Sequence, residues 1–237
     1  MNTLPNRAGP VRWLGFALCV MLLSQSSWAG RPFTTDDAGV LTARDCELET
    51  FGSYVRARPH SAERGGWGQV GCGVGFDTQF AVGGGRFRSG DESSTVAALA
   101  GKTALRRLTE DSAGIALAYA LVSFKPPGGH LRHERSSVAA VVSLPHGRTV
   151  VHANLGIDRS RLEAKTVGTY ALAVERLGEQ GLDVGVELYG QGGESPWIGA
   201  GARYAIRPEK LFIDVAFAVQ SGGSDARQLT VGLKVSF

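Results

Sequence analysis

The C-terminal residues 227–237 read R-Q-L-T-V-G-L-K-V-S-F. Leu229, Val231, Leu233, Val235 and Phe237 share one parity, and Gln228, Thr230, Gly232, Lys234 and Ser236 share the other. A β-strand sends successive side chains to opposite faces, so this segment has one apolar face and one polar or small face. Working back from the end, residues 211–220 set Leu211, Ile213, Val215, Phe217 and Val219 against Phe212, Asp214, Ala216, Ala218 and Gln220. Residues 182–189 set Leu182, Val184, Val186 and Leu188 against Asp183, Gly185, Glu187 and Tyr189. Val70, Cys72, Val74 and Phe76 likewise oppose Gln69, Gly71, Gly73 and Gly75. Period-two segments of this kind occupy roughly 45–56, 66–77, 78–88, 95–106, 112–124, 136–144, 148–158, 167–177, 181–190, 196–206, 210–220 and 227–237, which predicts twelve strands. No amphipathic helix, repeat or second domain lies between them.

Composition agrees. The chain has 237 residues, of which 33 are Gly, and only 20% are charged. Disorder is excluded by the abundant apolar residues and low charge, and so much Gly argues against a helix-rich domain. Residues 1–29 read as a secretory leader: Arg7 and Arg12 precede an apolar stretch from Trp13 to Leu23, and Ser27 and Ala29 are small residues at a cleavage site. Cys19 sits inside that apolar stretch and is not a lipid-attachment cysteine. Apart from it, no run approaches the ~18–20 apolar residues of a spanning helix. Removing the leader removes two of 25 basic residues and no acid, leaving 23 basic against 22 acidic. A charge near +1 with no basic stripe excludes nucleic acid as a partner.

The connectors alternate in the sequence reading. Residues 57–65, 89–94, 125–135, 159–166, 191–195 and 221–226 look long and polar, whereas 77–78, 109–111, 145–148, 178–180 and 207–209 look tight. Longer loops on one side and short turns on the other, with an even strand count, predict an all-β transmembrane antiparallel up-and-down β-barrel over residues 43–237. Both termini then lie on the periplasmic side of the outer membrane. In lipid every backbone polar group must be paired within the protein, and a closed sheet has no edge to leave unpaired. A soluble sandwich also alternates, but its apolar faces point inward and its strands are shorter. Tyr54, Phe124, Tyr170, Trp197 and Tyr204, near segment ends, are expected to form interfacial girdles. Mid-strand glycines (Gly83 to Gly85, Gly71, Gly73, Gly75, Gly199 and Gly201) permit curvature and close packing of whatever lies inside. A phosphate-cradling loop is excluded, because the alternation runs on through them and no helix follows.

The same parity puts a set of polar groups on the inner face: Glu47, Glu49, Gln69, Lys102, Arg106, His152, Asn154, Glu175, Asp183, Glu187, Arg203, Asp214 and Lys234. They would either pair with one another to fill the barrel or line a passage or binding site for a small solute. A lipid-modifying enzyme needs a nucleophile and a His aligned toward lipid. His60, His130 and His133 fall in long connectors, His146 in a turn and His152 on an inner face, so no such pair is visible. Metal binding by His130 and His133 is outweighed by plain solvation of a loop. No motif calls for a cofactor. Cys46 and Cys72 flank the first hairpin almost symmetrically about residues 59–60, both on the outward parity. They would make a cross-strand disulfide near the periplasmic end, the alternative being two independent small apolar residues. Residues 30–42 are polar and would form either a periplasmic tail or a segment tucked into the lumen, with Asp36 and Asp37 read as turn chemistry.

The stretches R-P-F-T-T-D-D-A-G (31–39), C-E-L-E (46–49), G-C-G-V-G (71–75), G-K-T-A-L-R (101–106) and V-H-A-N-L-G (151–156) resemble the outer-membrane transporters grouped with the phenol-degradation MetA-pathway proteins. The resemblance implies a barrel and transport of small, hydrophobic or aromatic compounds, and supplies no site residues. The expected protein is therefore a monomeric outer-membrane channel that passes or binds a small solute. Its partners would be outer-membrane lipid and the barrel-assembly machinery, which would read the terminal strand ending at Phe237. A lipid-modifying enzyme and a barrel without conductance are the alternatives.

Overall fold

The computed structural model describes residues 32–237 apart from 58–60 and 223–224, so the leader expected at 1–29 lies outside the described residues. Twelve strands follow in order: β1 (Cys46–Ala57), β2 (Ser61–Gly75), β3 (Thr78–Ser89), β4 (Glu92–Arg106), β5 (Gly114–Lys125), β6 (Arg132–His146), β7 (Thr149–Ser160), β8 (Lys165–Arg176), β9 (Leu182–Gln191), β10 (Trp197–Arg207), β11 (Leu211–Gln220) and β12 (Arg227–Ser236). Each pairs antiparallel with its sequence neighbours, and β1 pairs β12, from Glu47 opposite Ser236 to Arg56 opposite Arg227, closing the barrel. Closure gives every strand two hydrogen-bonded neighbours, as a hydrocarbon surrounding demands.

The side-chain alternation predicted from parity is the one observed. Val82, Leu155, Val186 and Phe217 stand out from the outer face, while Glu49, Lys102, Glu175 and Asp214 are buried inside. Leu155 is 71% exposed and its strand neighbour Asn154 is 8% exposed. A wall apolar outside and polar inside is a soluble sheet turned inside out, and it suits hydrocarbon rather than water as its surroundings. The interior is graded. Towards the end that carries the termini it is polar. Towards the other end apolar side chains pack on the wall of β2 to β5, with Trp67, Phe87, Val96, Val122 and Phe124 among them, while β6 and β7 bury an Arg135–Asp158 ion pair there. Val55, Tyr189, Trp197 and Ala218 form a second such cluster.

Four expectations are corrected. The connectors do not sort into a long side and a short side: β3 and β4 are joined by Gly90 and Asp91 alone, whereas residues 107–113 separate β4 from β5 at the opposite end. The polar stretches 61–65, 92–94 and 132–135 continue as strand, because the hydrogen-bond ladder extends past the apolar belt, where outward side chains can be polar. His133 accordingly lies on β6, its ring 3.0 Å from the Ser136 hydroxyl, and His146 ends the same strand. Phe76 belongs to the β2–β3 turn rather than the strand face: Phe76 and Asp77 both have φ of 53°, the left-handed pair that a two-residue hairpin turn requires. Of the five expected girdle aromatics, Tyr54 and Tyr204 are outside and half-exposed, and Tyr170 shares the outward parity, but Phe124 and Trp197 point inward and are buried.

The disulfide is present. Cys46 and Cys72 are cross-strand partners on the outward face of β1 and β2, with Sγ atoms bonded and Cα atoms 4.1 Å apart. Cys46 also exchanges backbone hydrogen bonds with Phe237, so the staple lies beside the seam that closes the barrel.

Candidate functional site

Residues 32–42 do not trail away from the barrel; they enter its lumen. The strap leaves the wall at Arg44, whose φ of 79° turns the chain inward, and Ala43 bridges to Gly73 on β2. Gly73 is needed there: a Cβ would fall 2.1 Å from the Thr42 carbonyl oxygen. Gly185 on β9 plays the same part further along, since a Cβ would lie 2.6 Å from Cζ of Phe33. Gly73, Gly185 and Gly201 are thus contact points for the strap, whereas Gly71, Gly83, Gly85 and Gly199 make room for wall side chains.

Wall side chains bind the strap backbone one amide at a time. Glu187 Oε2 accepts from the amides of Thr34 (2.8 Å) and Thr35 (2.9 Å) and from the Thr35 hydroxyl (3.0 Å). Asn154 accepts from the Asp36 amide (2.6 Å) and donates to the Asp36 carbonyl (3.0 Å). Ser143 accepts from the Ala38 amide (2.8 Å), and Gln79 accepts from the Leu41 amide (2.7 Å). Lys102 reaches Asp36 Oδ1 and the Asp37 carbonyl, both at 2.9 Å. An irregular segment inside a barrel cannot hydrogen-bond to itself as a helix does. Its amides therefore need wall acceptors at their own spacing, and four strands supply them, while Lys102 on a fifth donates to the strap. Burial pushes the Asp36 carboxyl up to about 6 despite the pull of Lys102. Burial also raises Asp37, but Lys102, His152 and Lys234 outweigh it and hold it at about 2.

The remaining wall charges pair with one another. Arg203 on β10 lies 2.8 Å from Asp183 and 3.2 Å from Glu175, with its guanidinium 5.6 Å from the ring centre of Phe212. Lys234 on β12 lies 2.6 Å from Glu47 and 3.6 Å from Glu49, and Glu49 accepts from Gln69 at 2.6 Å. Asp214 is buried opposite Arg203 on the neighbouring strand. Twelve of the thirteen predicted inner-face residues (Glu47, Glu49, Gln69, Lys102, His152, Asn154, Glu175, Asp183, Glu187, Arg203, Asp214 and Lys234) therefore share one interior polar layer. Arg106 does not: a bulge between Ala104 and Arg106 inserts a residue and breaks the alternation, leaving Arg106 exposed at the rim with its guanidinium donating to Ser112.

Sequence parity missed Ser143, Gln79 and, above all, Asp36 and Asp37. The strap follows no period, so nothing local marks Asp36 as a buried partner of Lys102. The turn reading holds only for Asp37, whose carboxylate accepts from the Gly39 amide at 2.6 Å. Ser143, His152 and Glu175 form a chain: Ser143 Oγ lies 2.8 Å from His152 Nδ1, and His152 Nε2 lies 3.5 Å from Glu175. Hydroxyl, imidazole and carboxylate follow one another, but Ser143 is wholly buried under the Ala38 amide, so the chain holds the strap and offers no room for a carbonyl. A cavity of about 330 Å³ opens where the strap leaves the wall, between Val40 to Thr42 and the side chains of Phe76, Arg107 and Leu108.

The class of fold is that of the outer-membrane β-barrels. Among solved structures, the chain is similar to the COG4313 outer membrane channel from Pseudomonas putida F1, with a TM-score of 0.63 and 12% identity over 85% of this chain and 98% of that one. It is also similar to the NanC porin (TM-score 0.57, 10% identity, 79% and 98% covered) and to the translocator domain of the autotransporter NalP from Neisseria meningitidis (TM-score 0.52, 14% identity, 96% and 98% covered). No family model matches the chain, and no curated protein matches it. At these identities the likeness is one of fold.

Proposed function

We propose that the protein is a narrow outer-membrane channel for a small solute, closed at rest by its own N-terminal strap. The observation that carries this reading is the seating of residues 34–41 on wall side chains from five strands, in the polar end of the lumen. A barrel meant only as a structural element could fill its interior with apolar side chains. This one devotes a polar layer to a segment that, among the described residues, joins the wall only at its root by Ala43 and Arg44 and can leave without breaking a strand pair.

Beyond the strap the path is lined by Phe51, Trp67, Phe87 and Phe124 on one wall, with Tyr189 and Trp197 stacked 6.2 Å apart on another. This lining suits a solute with an apolar or aromatic part, in keeping with the sequence resemblance. In the polar layer the wall carries six carboxylates (Glu47, Glu49, Glu175, Asp183, Glu187 and Asp214) against three fixed cations (Lys102, Arg203 and Lys234), which favours cationic or neutral solutes over anions. The buried Ser143 supports positioning of the strap rather than a hydrolase.

The test is planar-bilayer recording of the refolded leaderless chain beside a version lacking residues 30–42. Rare or small cation-selective steps in the first, and larger, persistent cation-selective steps in the second, are expected. Equal conductance in both refutes closure by the strap, and silence in both refutes the channel.

A further inference from the structure

The outer face carries a feature that solute passage does not use. Where the apolar belt of Tyr54, Val82 and Leu229 ends, away from the termini, five arginines stand outward on four adjacent strands: Arg227 on β12, Arg56 on β1, Arg64 on β2, and Arg86 and Arg88 on β3. All five are exposed. Arg56 lies directly opposite Arg227, and Arg64 directly opposite Arg88. Opposed residues of adjacent strands have Cβ atoms roughly 5 Å apart, and like charges so placed repel.

Nothing within the described protein relieves that repulsion. Arg86 donates to the Ser93 hydroxyl and Arg88 to the Gly90 carbonyl, and no described acidic side chain pairs with any of the five. Glu63, next to Arg64 in sequence, has the inward parity of its cross-strand partner Val55. Outward cations are unevenly spread at this end: β5 and β7 carry single ones, Lys125 and Arg159, neither directly opposite another cation, and outward positions of β9 to β11 are Leu188, Gly190, Ile198 and Val219. A general preference for cations at the rim would not leave that side bare.

We propose that this patch binds the phosphorylated headgroup of an acylated glycolipid in the outer leaflet. Its phosphates would lie between the opposed arginines, and its acyl chains would lie along Tyr54, Leu229 and Val82. The guanidinium fork pairs with phosphate oxygens two at a time, and a dianion between opposed arginines turns their repulsion into attraction. The adjoining apolar belt selects an acylated ligand over a free anion. The inference rests on the membrane placement proposed above and is independent of whether the lumen conducts.

The test uses the refolded leaderless chain in phosphatidylcholine vesicles doped with diphosphoryl lipid A, followed by detergent extraction and mass measurement of retained lipid. Insertion is read separately, from heat-shifted gel migration. Wild type is expected to retain diphosphoryl lipid A at least about 10-fold better than Arg64→Gln/Arg88→Gln, since each surface cation contributes severalfold to the affinity for an anionic headgroup. The charge-matched Arg176→Gln/Arg207→Gln, at the opposite rim, should retain it like wild type. Arg56→Gln/Arg227→Gln provides a second variant of the patch should the first not insert. Equal retention in inserted wild type and patch variants overturns the proposal. So does displacement by about 10 mM inorganic phosphate, which would mark a simple anion site, and so does equal retention of phosphatidylglycerol, which would mark non-specific charge. Failure of wild type to insert overturns the membrane placement and this proposal with it.

Discussion

Replacing Lys102 by Met is expected to open the barrel. The Lys102 ammonium touches Asp36 Oδ1 and the Asp37 carbonyl at 2.9 Å, and the Lys102 and Asp36 side chains are 3% and 2% exposed. Removing one member of a buried ion pair typically costs 3–5 kcal/mol, because the other charge stays desolvated and unpaired. Here the cost falls on the closed state alone, since a displaced strap returns Asp36 to water. At tenfold per 1.4 kcal/mol, the ratio of seated to displaced strap drops by roughly a hundredfold to a few thousandfold. The neutral hydrogen bonds at Asn154, Ser143 and Gln79 contribute about 1 kcal/mol each, so no single one of them offsets the loss. The recording should be made at pH 7.5, above the range in which Asp36 takes up a proton while Lys102 is beside it. Open probability should rise, and the amides of Thr34, Thr35, Asp36 and Ala38 should lose protection from hydrogen exchange, while strand amides keep theirs. Adding Asp36→Asn to Lys102→Met should restore much of the closure, because neither partner is then left charged. Unchanged conductance together with unchanged protection of those four amides in Lys102→Met would refute the reasoning.

Glu187→Gln keeps the shape but replaces a charged acceptor of three hydrogen bonds by a neutral one. It should loosen Thr34 and Thr35 by about 1–2 kcal/mol, read as faster exchange confined to those amides. Closure should also depend on pH. The Asp36 carboxyl is raised to about 6 when seated, so its contribution is fully present below its ordinary 3.8 and is lost as pH rises through 6; open probability should climb between pH 4 and 6. Asp37, held at about 2, acts in the opposite sense, with its stabilisation lost as pH falls from 3.8 through 2, so closure should weaken again under strong acid. Denatured, unreduced, leaderless protein should show no free thiol. Reduction of Cys46–Cys72, which closes a 26-residue separation, should lower stability by about 3.5 kcal/mol on a loop-entropy basis, read from the unfolding midpoint in denaturant.

The alternation in 182–191, 211–220 and 227–237 was enough for the strand count, the antiparallel order and the face each side chain takes, because a strand's two-residue period is a purely local property. The same parity placed Glu187, Asn154, Arg203 and Lys234 inside and Cys46 opposite Cys72. It failed first at Arg106, where a bulge adds one residue and reverses the faces, and at the rims, where the ladder outlasts the apolar pattern that marks it.

What occupies the lumen was decided by tertiary structure alone. Asp36 meets Lys102 across 66 residues and Glu187 meets Thr35 across 152, and no local pattern encodes contacts between an aperiodic strap and the inside of a closed wall. Periodicity can tell a side chain to point inward, but only closure of the barrel determines what it meets there.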